Sequence, residues 1–319
     1  MKKSSKAIPQ HLIDFFDWLE ISEGLSAKSQ ENYARFLKRF LDWLKKNNLE
    51  DLKPHQLSSD HIWKYRVFLS RQLSPKTKKP LKKSTQNYYL IALRSLLKFF
   101  TERDIQSLPA EKVKLAKDKY GKTVEFLSLD QVKKLVSIPK TETKQGLRDR
   151  AILELFFSSG MRIAELVALD RNQIKLESDQ KDIELGIVGK GGRPRTVYIS
   201  ERAISWLEEY LKTRNDNFKP LFIHYRSKEN ASKRLTPRSI QKMIKECALL
   251  AGLPITITPH VLRHTFATDL LSKGVDLRII QEFLGHKSIA ATQIYAHVTS
   301  KKLRDIHRKF HGGGGLKRA

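Results

Sequence analysis

The sequence predicts a mainly α-helical protein in two parts. An all-helical N-terminal domain is followed by a mostly helical α+β domain that holds a small antiparallel hairpin. Three observations carry this expectation. Apolar residues recur at i, i+3, i+4 and i+7 through long stretches, the spacing of one helix face. Ser or Thr heads many of these runs, and in Thr236-Pro237 and Thr258-Pro259 a proline follows at the first helical position. Between residues 183 and 199, two short apolar runs flank a Gly-rich basic turn, the mark of a β-hairpin.

Four helices are expected between Pro9 and Thr101. His11 to Ile21 carries Leu12, Phe15, Phe16 and Leu19 on one face. Ser26 caps a longer helix with Tyr33, Phe36, Leu37, Phe40, Leu41 and Leu44 in register. Ser59 is read as the cap of a third, with Ile62, Tyr65 and Leu69, and Ser84 as the cap of a fourth, with Leu90, Leu93, Leu96 and Phe100. The loop SPKTKKPLKKS between the last two is dense in Lys and Pro and suits contact with phosphates. These helices form a domain over residues 1–107. Residues 108–123 lose periodicity, are rich in lysine and read as a basic linker.

The second domain is expected over 124–311, with 312–319 a flexible Gly-rich tail. Ser128 caps a short helix. Leu147 to Phe157 is an apolar helix that ends at Ser158-Ser159-Gly160. Next, MRIAELVAL reads as a helix apolar in nearly every direction, which would bury Arg162 and Glu165. Buried charges are rare unless paired or functional, and a structural pair of these two is the alternative. The hairpin runs through Ile183–Val188 and Thr196–Ile199, with Lys190, Arg193 and Arg195 near its tip. It is not a phosphate-binding P-loop, because Gly191 follows Lys190 where Ser or Thr is needed. A helix near 201–214, a short strand Leu221-Phe222-Ile223 and a helix from Pro237 to about Leu250 follow. Ser300 caps a last helix whose Leu303, Ile306 and Phe310 stripe needs a partner to be buried.

The chain has 319 residues with a formal net charge of +27, spread along its length and interleaved with apolar residues. So large an excess points to a polyanionic partner, nucleic acid ahead of a membrane surface. The single cysteine, Cys247, excludes an internal disulfide framework and reads as a core thiol. No apolar run approaches the ~20 residues that span a bilayer, and the N-terminus lacks an apolar signal core, so a cytoplasmic location is expected.

The densest chemistry lies in Thr258–Val298. His260, Arg263 and His264 share a helix face just after the Thr258 cap, where unpaired N–H groups favour anions. Leu262, Phe266 and Leu270 form a separate apolar stripe. Gly285-His286 and Tyr295 follow. A zinc reading of His260 and His264 fails because Val261 stands where the metalloprotease pattern needs Glu, and Arg263 on the same face would repel a cation. No metal and no cofactor is implied.

In order, SSGMRIAELVAL, GKGGRPR, HVLRHTFATDLL and FLGHKSIAATQIYAHV resemble the motifs of the tyrosine recombinase (lambda-integrase-like) family, with wording closest to the Xer recombinases. The resemblance covers essentially the whole chain and implies that residues 1–107 are a core-binding domain and 124–311 a catalytic domain. It implies Tyr295 as the nucleophile that stores the phosphoester bond, and Arg162 and Arg263 as a clamp on the phosphate. It implies Lys190 as the acid that protonates the leaving 5′-oxygen. His260 and His286 would bond the phosphate, His260 would help to take the tyrosine proton, and Glu165 would orient the first arginine or the His box. His264 is expected to be structural support. The implied partners are a double-stranded recombination site and further copies of the chain or a paralogue, held in a tetrameric synapse by the last helix. A septal DNA translocase is a candidate activator. The implied task is chromosome dimer resolution, with mobile-element integration as the alternative. A type IB topoisomerase and a non-catalytic DNA-binding protein are the rival readings.

Overall fold

The computed structural model describes residues 1–75, 77–116, 125–176, 181–189, 194–225, 233–254 and 256–285. The chain divides into two compact units, Met1–Lys122 and Thr123–Ala319. It is mainly helical with one small antiparallel sheet, as the periodicity predicts.

In the first unit, helices α1 (Leu12–Ile21), α2 (Ala27–Lys46), α3 (Ser59–Arg71) and α4 (Lys83–Glu102) surround a core rich in aromatic rings. Phe15, Trp18 and Leu19 of α1 meet Phe40, Trp43 and Leu44 of α2 and the buried leucines of α4. Phe15 packs edge-on to Phe99 at 5.7 Å, and the Trp18 indole N–H donates to Glu102 Oε2 at 2.9 Å. Two caps depart from expectation. Ser58, rather than Ser59, accepts the His61 N–H, and α4 begins at Lys83 with Lys82 as its cap residue, so Ser84 falls inside the helix.

The basic segment after α4 starts as part of this unit. Val113 is fully buried, with Leu108, Ala110 and Leu115 packed beside it. Asn87 on α4 then grips the chain: its Nδ2 donates to the Ala116 carbonyl and its Oδ1 accepts the Ala116 N–H, each at 2.9 Å. That pairing satisfies both backbone groups of one residue, as a neighbouring strand would.

In the second unit, α5 (Leu129–Val136) and α6 (Lys144–Ser159) open the fold. Ser128 and Thr143 cap them through the N–H groups of Gln131 and Gly146. Helix α6 is the central element, buried on almost every side through Ala151, Ile152, Leu153, Leu155 and Phe156. Its two buried acids are both paired: Asp149 with Arg148 at 2.6 Å, and Glu154 with Arg150 at 3.0 Å and Arg202 at 2.8 Å. Against α6 pack α8 (Glu201–Lys212), the hairpin β1 (Asp182–Val188) and β2 (Pro194–Ser200), and α10 (Pro259–Ser272). The strands pair antiparallel from Asp182↔Ser200 to Val188↔Pro194. Ile183, Leu185 and Ile187 face the core opposite Val197 and Ile199, the period-2 alternation of a half-buried sheet.

Two expectations fail here. MRIAELVAL is not a helix buried all round: only Ile163–Ala168 is helical (α7), Arg162 is its extended cap residue, and Ala164 and Ala168 are exposed. The left-handed Gly160 ends α6 at φ 59°, so the chain must restart, and Arg162 falls in the gap. Leu221-Phe222-Ile223 forms no strand among the described residues, only the single bridge Ile223↔Arg234, next to the bridge Asp170↔Pro220. Its apolar run marks burial of all three residues rather than pairing. Helices α9 (Pro237–Leu250) and α11 (Leu277–Leu284) complete the described unit.

Candidate active site

The site is assembled where three chain ends meet: the end of α6, the head of α10 and the end of α11. Helix α6 stops at Gly160, whose buried carbonyl accepts Nη1 of Arg263 at 2.7 Å. Only glycine fits there. Its φ is positive, and a Cβ would lie 2.4 Å from the Phe266 ring of α10. Two residues later the Arg162 backbone N–H donates to Glu165 Oε2 at 2.6 Å, a bond from the N-cap to the third helical residue that opens α7 and fixes where the Arg162 side chain leaves the backbone.

Helix α11 supplies the second anchor. Asp276 caps its start by accepting the Arg278 N–H, and the left-handed Gly285 closes it. Its last carbonyls then take both arginines: Leu284 accepts from Nη2 of Arg263, and Gly285 from Nη2 of Arg162 at 3.1 Å. Guanidinium groups at a helix C-terminus meet orphan carbonyls and the negative end of the macrodipole. Adjacent acceptors thus bring Arg162 and Arg263 together, although they are 101 positions apart in sequence. An aromatic contact of Phe283 with Phe266 at 6.3 Å, and of Phe283 with Tyr198 at 5.7 Å, seats α11 between α10 and β2.

Arg263 is only 4% exposed and is held by two carbonyls, whereas 27% of the Arg162 side chain remains open to solvent. Glu165 is buried, and its Oε1 accepts Nη1 of Arg162 at 3.0 Å. Burial alone would raise the Glu165 carboxyl, but two hydrogen bonds from Arg195, the Arg162 N–H and the Arg162 side chain together outweigh it. The group is held below the usual carboxylate range and stays charged.

His260 lies exposed in the first turn of α10, beside the site's open side. His264, one turn on, is half-buried, and its pKa is pushed down to about 4, first by burial and then by the neighbouring His260 and Arg263. It is neutral at physiological pH, in keeping with a supporting part. Thr265 locks α10 in place, accepting the Leu127 N–H and donating to the Val261 carbonyl, both at 2.9 Å. Of the residues singled out in the sequence, Arg162, Glu165, His260 and Arg263 therefore lie in one region of the second unit. Lys190, His286 and Tyr295 lie outside the described residues, as does the Leu303/Ile306/Phe310 stripe, although His286 directly follows Gly285.

Arg195 stands near the hairpin tip, as expected, paired across from Ile187, but its side chain is turned into the protein. It points inward from β2, its side chain is 11% exposed, and it grips Glu165 with both arms, Nη1 to Oε1 at 2.7 Å and Nη2 to Oε2 at 2.8 Å. The signal was present in the sequence: Arg195 has the same strand parity as the core residues Val197 and Ile199. Helix α11 was also unforeseen, although Asp276 and Gly285 bracket it as cap residues.

Comparison with known proteins identifies relatives over nearly the whole chain. Residues 125–302 match the "Phage integrase family" and residues 12–104 match "Phage integrase, N-terminal SAM-like domain". The chain is similar to tyrosine recombinase XerD of Oceanobacillus iheyensis, 33% identical over 308 residues that cover 93% of this chain and 97% of that protein. It is also similar to tyrosine recombinase XerC of Leptospira interrogans serogroup Icterohaemorrhagiae serovar copenhageni, at 32% identity covering 97% and 95%. Among solved structures it resembles XerA recombinase, 27% identical with a TM-score of 0.51 over 97% of this chain and 100% of that one. In fold it also resembles XerH site-specific recombinase bound to palindromic difH substrate, 21% identical with a TM-score of 0.70 over 98% and 92%.

Proposed function

The chain belongs to the phage integrase family as an Xer-like site-specific tyrosine recombinase, and we propose that it cuts and rejoins duplex DNA through a 3′-phosphotyrosyl intermediate on Tyr295. The Tyr295 hydroxyl oxygen bonds to phosphorus as its proton leaves, and the bond from phosphorus to the 5′-oxygen breaks. Lys190 gives its proton to that departing oxygen, which would otherwise leave as an alkoxide. A 5′-hydroxyl from another strand then reverses the step. One phosphoester bond is exchanged for another at each stage, so no ATP is consumed.

Negative charge on the non-bridging oxygens is met by fixed cations. Arg162 and Arg263 present forked donors to those oxygens, His260 and His286 add hydrogen bonds, and Glu165 orients Arg162. His260 also helps to take the Tyr295 proton. The observation that carries this reading is the seating of Arg162 and Arg263 on the adjacent carbonyls Gly285 and Leu284, one residue before His286. Two guanidiniums seated on adjacent carbonyls concentrate positive charge and donors that suit an anionic ligand. The substrate is a double-stranded recombination site, toward which the +27 charge supplies attraction, and both the helical 1–107 domain and the 124–311 domain bind it. Four subunits act together, joined through the last helix and its Leu303, Ile306 and Phe310 stripe, in chromosome dimer resolution in the cytoplasm.

A nicked duplex that sheds its 5′-end after cleavage tests the chemistry, using a site selected by this protein from a randomised duplex pool. Wild type accumulates a covalent protein–DNA adduct, and Tyr295→Phe binds the same duplex without forming one. An adduct that persists in Tyr295→Phe refutes the nucleophile assignment. Lys190→Ala is slow on the ordinary substrate and recovers when a 5′-bridging sulfur supplies a leaving group that needs no proton; failure to recover removes Lys190 from the acid role.

A further inference from the structure

Glu165 is claimed by two arginines. Oε1 accepts from Arg195 at 2.7 Å and from the Arg162 side chain at 3.0 Å, while Oε2 accepts from Arg195 at 2.8 Å and from the Arg162 backbone N–H at 2.6 Å. Arg195 thus takes both carboxylate oxygens, and the Arg162 fork keeps only one Glu165 bond. Its other arm, Nη2, goes to Gly285. Were Arg195 absent, the carboxylate would be free to draw Arg162 into the two-armed pairing that guanidinium and carboxylate favour. Arg162 would then turn from solvent toward Glu165, and its charge would be spent inside the protein.

Arg195 cannot itself serve the substrate in this arrangement. Its terminal nitrogens are committed to Glu165, its Nε is buried without a hydrogen-bond partner, and little of the side chain reaches solvent. It also lies directly beneath the end of α11: a Cβ on Gly285 would stand 2.7 Å from Arg195 Cδ. One side chain of β2 therefore touches the acid that aims Arg162 and the residue whose carbonyl holds Arg162. It is five positions along the chain from Lys190.

We propose that Arg195 is a positioning residue for strand cleavage: by occupying both oxygens of Glu165 it leaves the charge of Arg162 available to the scissile phosphate. This rests on the placement of Arg162 at that phosphate, and the test separates the two. Single-turnover cleavage is measured on the selected nicked duplex with either a phosphodiester or a methylphosphonate at the scissile position. In the methylphosphonate a methyl group replaces one non-bridging oxygen and removes the negative charge that a guanidinium would stabilise. Thermal melting and duplex binding are followed for each variant as controls.

Arg162→Ala loses rate on the diester and much less on the methylphosphonate. Arg195→Ala shifts the ratio of the two rates in the same direction, with a diester loss of about 10- to 100-fold, the range for losing a charge-assisted hydrogen bond. Arg195→Lys keeps the charge but cannot span both oxygens, and gives a smaller shift of the same sign even if Arg195→Ala is poorly folded. Adding Glu165→Gln to Arg195→Ala recovers part of the diester rate, because the competing charge is gone. If Arg162→Ala shifts the ratio while Arg195→Ala and Arg195→Lys slow both substrates equally, Arg195 is only structural and the inference fails alone. If Arg162→Ala leaves the ratio unchanged, Arg162 is not at the phosphate and both readings fall.

Discussion

Gly160 is the position at which a single methyl group would do most harm to the site. In Gly160→Ala the new Cβ would stand 2.4, 2.8 and 3.0 Å from three carbons of the Phe266 ring, on a backbone at φ 59°. The left-handed conformation costs an alanine roughly 1–2 kcal/mol. Forcing a methyl group into the packed contact adds about 1–3 kcal/mol. A loss of about 2–5 kcal/mol in a unit of this size lowers its melting temperature by roughly 4–20 °C. The ring must also retreat by about 1 Å to reach ordinary contact, and Gly160 carries the carbonyl that holds Arg263. Misplacement on that scale costs on the order of 10²-fold in rate. Calorimetry and single-turnover cleavage measure the two losses. The decisive comparison is Gly160→Ala in a Phe266→Ala background. Removing the ring is itself destabilising, yet the double variant should be more stable than the sum of the single losses, by the clash of about 1–3 kcal/mol. If the two losses add, or if Gly160→Ala melts within a degree or two of wild type, the steric account of this contact is wrong.

Other perturbations read other parts of the molecule. Asn87→Ala strips the partners from both backbone groups of Ala116; we expect a loss of about 1–3 kcal/mol and faster amide exchange at Ala116 with α4 intact, and unchanged exchange there would contradict it. His264 is neutral in the folded chain down to about pH 4, while unfolded histidine protonates near 6.5, so its contribution is complete above pH 6.5 and is lost as pH falls toward 4. Partial solvent access reduces the effect to roughly 1–2 kcal/mol, and a His264→Gln protein should show a flatter urea-stability profile across that window. Glu165, held low by its arginines, behaves in the opposite range: its stabilising charge is present above the ordinary carboxylate pKa and is lost only in stronger acid, so Glu165→Gln should flatten the profile below about pH 4.5. Duplex binding should weaken steeply with salt, and Lys82→Ala in the basic loop should lower the log–log slope by about one if that lysine meets a phosphate.

What the sequence disclosed was what local rules govern. The caps at Ser128, Thr236 and Thr258 were readable because a hydroxyl and an N–H three residues on suffice to define them. Ser59 and Ser84 misled because a second serine or an adjacent lysine offered nearly the same start, and tertiary packing chose between registers. Helix α11 escaped notice because two turns carry little periodicity, although its cap residues were in plain view. The grouping of Arg162 with Arg263 came from motif order, while the carbonyls that hold them came only from the fold, since backbone acceptors leave no trace in residue identity. The position of Arg195 near a glycine turn left its direction open; strand parity with Val197 and Ile199 points it inward.

The shared seat of Arg162 and Arg263 has an engineering consequence. Two guanidiniums hung from neighbouring carbonyls of one helix cannot be re-aimed one at a time by moving that helix. A tilt or half-turn of α11 breaks one bond to each arginine at once, leaving Arg263 on Gly160 and Arg162 on Glu165, so backbone changes there loosen both placements together. Graded tuning of one oxygen contact has to come from the side chains around it. Mutagenesis aimed at adjusting one arginine should therefore leave residues 277–285 untouched and work on the separate anchors, Gly160 and Glu165.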